Sequence, residues 1–222
     1  MTDGITMEVC IENGSRIKEL ATGGADRVEL CDNLAEGGTT VSYGVAEYVI
    51  QQCKSPDIKV ISMIRPRGGN FIYNEDEINI MLKDIEIVCN LGTGGIVFGC
   101  LNSTGSLDRE KNLLLARAAR TAKAAQSGQK KFDIVFHMAF DHINHDEQME
   151  SLRWLRDNGF TRILTHGSAD LVVPIQDNYR QIKEYIAIGG IEILPGGGVT
   201  KDNYKNICAE LGVKQVHGTR VL

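Results

Sequence analysis

Two arginines close an apolar run in Ile61-Ser62-Met63-Ile64-Arg65-Pro66-Arg67-Gly68-Gly69-Asn70-Phe71. A guanidinium does not lose its charge, so two of them at the mouth of a buried segment call for anionic partners. Pro66 biases Arg65 toward extended backbone, and Gly68 and Gly69 permit a tight turn with amides open to an anion. Two earlier segments carry acid and sulfur at alternating positions: Glu8 and Cys10 in Met7-Glu8-Val9-Cys10, then Arg27, Glu29 and Cys31 in Arg27-Val28-Glu29-Leu30-Cys31. Alternate residues of a strand share a face, so each Glu-x-Cys set points one way. Buried carboxylates need cations, for which Arg27, Arg65 and Arg67 are candidates. The thiols of Cys10 and Cys31, ending adjacent strands, could clasp one soft ion. Cu(I) favours thiolate at low coordination, whereas zinc wants two further ligands such as histidine. Each feature has a packing alternative. The carboxylates can form a structural salt-bridge layer, and cysteine is a common small core residue.

Later segments add histidines and a glycine run. His137 and Asp141 stand in Phe136-His137-Met138-Ala139-Phe140-Asp141, His166 follows Leu164-Thr165, and His217 follows Val216. Leu194-Pro195-Gly196-Gly197-Gly198-Val199-Thr200 runs into a helical pattern and suits phosphate, or else a tight turn with Thr200 as N-cap. Glu8, Glu29, His137 and Asp141 are thus the candidates to move protons. Arg27, Arg65, Arg67, His166, Gly196, Gly197, Gly198 and His217 are the candidates to hold a small phosphorylated or carboxylated metabolite. All are expected to converge in one cavity.

These residues fall at the ends of short β-branched runs, at 6–10, 27–31, 59–64, 95–99, 132–137, 162–165, 191–194 and 214–217. Helical patterns lie between them, at 13–23, 44–53, 75–90, 109–126, 146–158, 176–188 and 201–210. In the third, Ile78, Met81, Leu82, Ile85 and Val88 form one apolar face, and Asn74 with Glu77 reads as a capping box; Asn144 and Glu147 open the fifth helix in the same way. Strictly alternating strands and helices predict a parallel (β/α)8 TIM barrel lacking a regular eighth helix, with function at the carboxyl ends of the strands. A doubly wound open sheet is the runner-up, but Cys10-Ile11-Glu12-Asn13-Gly14 is no dinucleotide fingerprint. The flank that an eighth helix would cover is expected to be partly apolar, a contact surface for a homodimer or higher homo-oligomer or for a recruited partner.

The chain has 222 residues, 42% apolar and 24% charged, which suits a single domain over 1–222. A net charge of -5 without a basic run excludes a phosphate-tracking nucleic-acid surface. No segment is apolar enough to span a bilayer, and the start lacks a secretion signal, so the cytoplasm is the expected compartment. The six cysteines contain no C-x-x-C and are expected as reduced thiols.

Met7-Glu8-Val9-Cys10, Gly24-Ala25-Asp26-Arg27-Val28-Glu29-Leu30-Cys31, Glu36-Gly37-Gly38-Thr39-Thr40 and the Arg65-Pro66-Arg67-Gly68-Gly69 block resemble the copper homeostasis CutC family. The 136–141, 164–167 and 195–199 segments extend the likeness over nearly the whole chain. The resemblance implies a cytoplasmic, commonly oligomeric TIM barrel assigned to copper handling, with Cys10 and Cys31 at the positions proposed to bind Cu(I). It brings no established reaction. The sequence departs from many members in having Met138 for Arg, His166 for Ser, Val41 for Pro and Gln215 for Glu. The alternative function is an enzyme with lyase, isomerase or hydrolase chemistry on a small anion.

Overall fold

A computed structural model describes residues 4–55, 57–125 and 131–222. Its strands are β1 (Thr6–Glu12), β2 (Arg27–Cys31), β3 (Lys59–Met63), β4 (Gly95–Phe98), β5 (Asp133–Phe136), β6 (Arg162–Thr165), β7 (Glu192–Pro195) and β8 (Gln215–Gly218). They form one parallel sheet in the order β7-β6-β5-β4-β3-β2-β1-β8. The pairing of β1 with β8 decides against an open doubly wound sheet, because the first and last strands meet as they do in a barrel. Between β7 and β8 the barrel is nearly closed, through a bridge of Thr200 to Arg220 and the Lys201 amide on the Arg220 carbonyl at 2.8 Å.

Seven helices surround the sheet among the described residues: α1 (Ile17–Gly23), α2 (Tyr43–Cys53), α3 (Glu75–Leu91), α4 (Arg109–Ala124), α5 (His145–Asp157), α6 (Tyr179–Ile188) and α7 (Tyr204–Leu211). The capping box of α3 is present, with Asn74 and Glu77 each receiving the other's amide, at 2.9 and 2.8 Å. At α5 the expected cap is absent: the Asn144 carboxamide turns to the Thr104 carbonyl at 3.0 Å, tying α5 to the loop after β4. Nor does Thr200 cap α7. The Asn203 side chain instead closes a turn on the Thr200 amide at 2.8 Å, so the helix starts at Tyr204. The predicted end of the fourth helix at 126 lies outside the described residues.

Strand alternation sorts the core. Val9, Val28, Leu30, Val60, Ile96, Ile134, Ile163, Ile193 and Val216 face the helices and form the main apolar layer. Inside the barrel a small second cluster contains Cys10, Cys31, Ile61, Met63, Val97 and Val135. The rest of the described interior is largely charged. At the amino ends of the strands, Lys59 reaches Asp133 at 2.7 Å, and Arg162 meets Asp133 at 3.3 Å and Glu192 at 2.9 Å. Gln215 accepts from both Arg162 (3.1 Å) and Arg27 (3.0 Å), and Arg27 continues the chain to Glu8.

The flank beside β8 is not the apolar surface expected from the sequence. Val216 and Val221 are both fully buried there, while the exposed apolar side chains lie elsewhere, as Tyr43 and Tyr48 on α2, Ile80 on α3, Leu114 on α4, and Ile72, Leu171 and Val172 in loops. No described helix is long and apolar enough to cross a membrane.

Removing one member of a buried ionic chain strands its partners. Arg162→Met should therefore cost about 3 kcal/mol in urea denaturation, because it leaves buried Asp133 with Lys59 alone and takes from Glu192 its partner at 2.9 Å. Lys83→Ala, which breaks an exposed ion pair with Glu86, should stay within about 1 kcal/mol.

Candidate functional site

The barrel's register offsets the two Glu-x-Cys motifs. Glu8 lies opposite Arg27, Cys10 opposite Glu29, and Glu12 opposite Cys31; on the other side Glu8 lies opposite His217. The two thiols are therefore diagonal neighbours, and each glutamate meets a different partner. One Glu8 oxygen takes the Arg27 Nε–H and the other takes His217 Nδ1 at 2.8 Å. His217 Nε2 lies 3.6 Å from Glu29 Oε2, and Cys31 Sγ lies 3.6 Å from that same oxygen. The sulfurs are 4.0 Å apart. Ligand atoms of Cys10, Glu29 and His217 all lie within 4.8 Å of one another.

Burial would push the Glu8 carboxyl up, but Arg27 and His217 outweigh it and hold it well below the usual range. The hydrogen bond from Cys31, against the cost of burial and helped by His217, lowers the Cys10 thiol to about 5. Cys31 is pushed well above its ordinary value by that same bond to Cys10, by burial and by Glu29. Burial, only partly offset by His217, also raises Glu29 well above the carboxylate range. His217 is raised despite burial by Glu29, Cys10 and Glu8. The resulting charge state is a Cys10 thiolate beside an imidazolium, a Cys31 thiol and a protonated Glu29.

A loop covers this cluster. Gly38 adopts φ +89°, and a Cβ there would stand 3.1 Å from Cys31 Sγ, so glycine meets both demands. Arg65 fixes the loop by donating to the carbonyls of Glu36 (2.6 Å) and Gly38 (2.8 Å), while its other terminal nitrogen holds Gly69 at 2.8 Å. Arg67 binds Glu77 at 2.5 Å and the carbonyls of Gly68, Asn70 and Ile72, together with the Asn70 side chain. That occupies all five of its N–H donors, so Arg67 ties the loop to α3 rather than presenting charge to a ligand.

The remaining candidates lie apart from the thiols. His137 accepts the Ala139 amide on Nδ1 at 3.2 Å, and burial and the charge of Arg65 lower it to about 3, leaving a neutral ring with its proton on Nε2. Its ring packs on Phe71 with centroids 5.0 Å apart. Asp141 accepts from the Thr165 hydroxyl and from the amides of His166 (2.9 Å) and Gly167 (3.2 Å), and burial raises it to about 6. His166 bridges loops, with Nε2 2.8 Å from the Val173 carbonyl and Nδ1 3.2 Å from those of Gly196 and Gly197. The glycine run thus turns carbonyls toward His166 and, from Gly198, toward Asn203. Gly196 also lacks room for a side chain, since a Cβ would sit 2.6 Å from Leu164.

A cavity of about 490 Å³ opens at the carboxyl rim, lined by Arg65, Phe71, Leu101, Met138, Asp141 and His142 among others. Glu8, Glu29, Cys10 and Cys31 do not line it. The expectation of one converging cavity is therefore corrected: the structure holds a closed thiol cluster and a separate rim cavity, with the 36–38 loop between them. Asp133, Arg162 and Glu192 went unforeseen, although Asp133 and Arg162 open their strands two residues before inward-facing Val135 and Leu164. Phe71 and His142 were missed because neither lies at a strand end.

A family model described as the CutC family matches residues 5–222. The chain belongs to the CutC family. A CutC family protein of Enterococcus faecalis is 44% identical, covering 97% of this chain and 99% of the relative. The human copper homeostasis protein cutC homolog is 37% identical, covering 97% of this chain and 73% of its own length. The solved CutC structure from Streptococcus agalactiae superposes with a TM-score of 0.90 at 44% identity, covering 98% of this chain and all of that one. This likeness agrees with the barrel and with the copper homeostasis assignment of the family.

The depressed pKa of Cys10 sets a testable pH window. A group whose folded pKa lies below its unfolded one stabilises the fold at high pH. The advantage of the wild type over Cys10→Ser should be full above the ordinary thiol value of 9.0 and vanish as pH falls through about 5. Ultraviolet thiolate absorbance should show the same midpoint in the native protein. His217→Asn should move that midpoint upward, toward the ordinary thiol value.

Proposed function

We propose that this protein is a Cu(I)-binding copper homeostasis protein, with Cys10 and Cys31 as the thiolate ligands and His217 and Glu29 beside them. The observation that carries the reading is the sulfur pair, 4.0 Å apart with one member held as thiolate. That separation is about twice a disulfide bond of ~2.05 Å, leaving room for an ion between the sulfurs. Two soft donors packed with Ile61, Met63, Val97 and Val135 favour Cu(I) over harder ions. Binding displaces the proton left on Cys31, which leaves to solvent, because Glu29 is already protonated and His217 is already an imidazolium. Cys10 is slightly exposed at 7% and Cys31 not at all, so the ion meets Cys10 first. The protein works in a reducing compartment, for which the cytoplasm is the natural choice, because oxidation of either thiol would remove the ligand pair.

The family name borne by the human relative, copper homeostasis protein cutC homolog, supports the same reading. The enzyme alternative is weakened for the barrel interior, since Glu8 and Glu29 are 1% and 2% exposed and both Glu8 oxygens are committed to internal partners.

Titration of the reduced protein with Cu(I) against bicinchoninate should give about one ion per chain. Cys10→Ser and Cys31→Ser should each weaken binding at least about 100-fold, and His217→Gln about tenfold. Unchanged stoichiometry and affinity in the double serine variant would remove the thiols as ligands and sink the proposal.

A further inference from the structure

Arg65 is 97% buried yet, among the described residues, makes no ion pair; its terminal nitrogens bind carbonyl oxygens, and the neutral Tyr73 hydroxyl is a polar neighbour. An uncompensated buried guanidinium is costly, and its Nε–H in addition has no partner among the described residues. His137 Nε2–H is a second buried donor in the same condition. The two belong to neighbouring groups, since the charge of Arg65 is among the causes that hold His137 neutral. A single ring, Phe71, packs against both: the Arg65 guanidinium carbon lies 5.0 Å from its centroid, and the His137 ring likewise 5.0 Å. Phe71 belongs to the 68–74 loop and is only half-buried, so its side chain can turn outward without breaking a strand or helix.

The cavity that Arg65 and Phe71 line has the volume of a small-molecule site. Its lining is mainly apolar, with Leu101, Met138 and Leu171 in addition to Phe71. The carboxylates on its wall do not neutralise Arg65. Asp141 is engaged by Thr165 and two amides, and Glu36 makes no ion pair with Arg65 among the described residues.

The geometry points to a second binding site, distinct from the thiols, in which Phe71 swings aside and a small carboxylate with an apolar body enters the rim cavity, its two oxygens received by Arg65 Nε–H and His137 Nε2–H. A planar carboxylate supplies two acceptors and one negative charge, which matches two orphan donors and one unpaired cation. The apolar body then rests on Leu101, Met138 and Leu171. A phosphate dianion fits less well, because Glu36 and Asp141 line the same cavity. This site goes beyond the copper reading and does not depend on it.

Calorimetric titration with benzoate, with benzyl alcohol and inorganic phosphate as controls, tests the site, together with nitrogen NMR of the histidines. Benzoate should bind at least about tenfold more tightly than either control and shift the His137 Nε2 resonance. Phe71→Ala, a loop substitution that leaves the Arg65 clamp in place, should strengthen acetate binding by uncovering both donors. Benzoate affinity should persist in the double serine variant of Cys10 and Cys31, which separates this site from the thiol cluster whatever copper does. Benzoate binding no tighter than benzyl alcohol, phosphate binding more tightly than benzoate, an unmoved His137 resonance, or acetate indifferent to Phe71→Ala would each overturn the assignment.

Discussion

The Glu8 carboxylate is the group on which the interior of this barrel depends. It is almost completely enclosed, and it stays ionised because Arg27 and His217 both reach it. A fixed negative charge at Nδ1 keeps the His217 ring protonated, and the imidazolium in turn favours a thiolate at Cys10. The sequence of influences therefore runs along the barrel axis, from Arg162 and Gln215 at the amino ends through Arg27 and Glu8 to the sulfurs near the carboxyl ends. None of this is an efficient way to stabilise a core. Buried ionic groups roughly break even against apolar packing, and the interior apolar cluster is small. Stability comes from the layer between sheet and helices, which leaves the inside free to hold a polarised sulfur pair.

Barrel shear converts two identical local motifs into one interlocking cluster. Closing a parallel sheet requires each strand to slide relative to its neighbour. Here the slide is two residues between the motifs, which sets Cys10 against Glu29 and leaves Glu8 for Arg27. Level pairing would have put the glutamates side by side and the thiols side by side, with two like charges to neutralise together. The offset supplies each carboxylate with its own environment instead. One is held ionised by two cations and the other is held protonated by burial. Two chemically equal residues thereby take opposite charge states.

That offset also marks the limit of what could be read in advance. Alternation in Glu8-x-Cys10 and Arg27-x-Glu29-x-Cys31 was enough to assign an inward polar face, and eight apolar runs separated by helical patterns were enough to assign the barrel. Register is a property of paired strands, so nothing in either segment alone says which residue faces which. The same limit explains the arginines. Pro66 and the glycines marked Arg65 and Arg67 as fixed, but apart from Glu77 on Arg67 the partners that fix them are mostly carbonyls, such as those of Glu36, Gly38 and Ile72, and a carbonyl carries no sequence signal. The Asn144 cap failed for a comparable reason. Its carboxamide found the Thr104 carbonyl, some forty positions earlier in the chain, before it could serve its own helix.

Arg65 joins the two sites without belonging wholly to either. Its guanidinium is planar and moves as one body, so the nitrogens that hold the loop over Cys31 cannot shift independently of the Nε–H beside Phe71. A guanidinium tilted toward an anion in the rim cavity would alter its grip on the Glu36 and Gly38 carbonyls, and with it the packing of Gly38 on the Cys31 sulfur. Substitution of Arg65 consequently disturbs both places at once and reports on neither cleanly. Cys10 and Phe71 do not have this ambiguity, because each makes its contacts on one side of the 36–38 loop only. Any energetic communication between the sulfurs and the rim must pass through that loop and the single side chain that clamps it, which makes the clamp the place where binding at one site would be felt at the other.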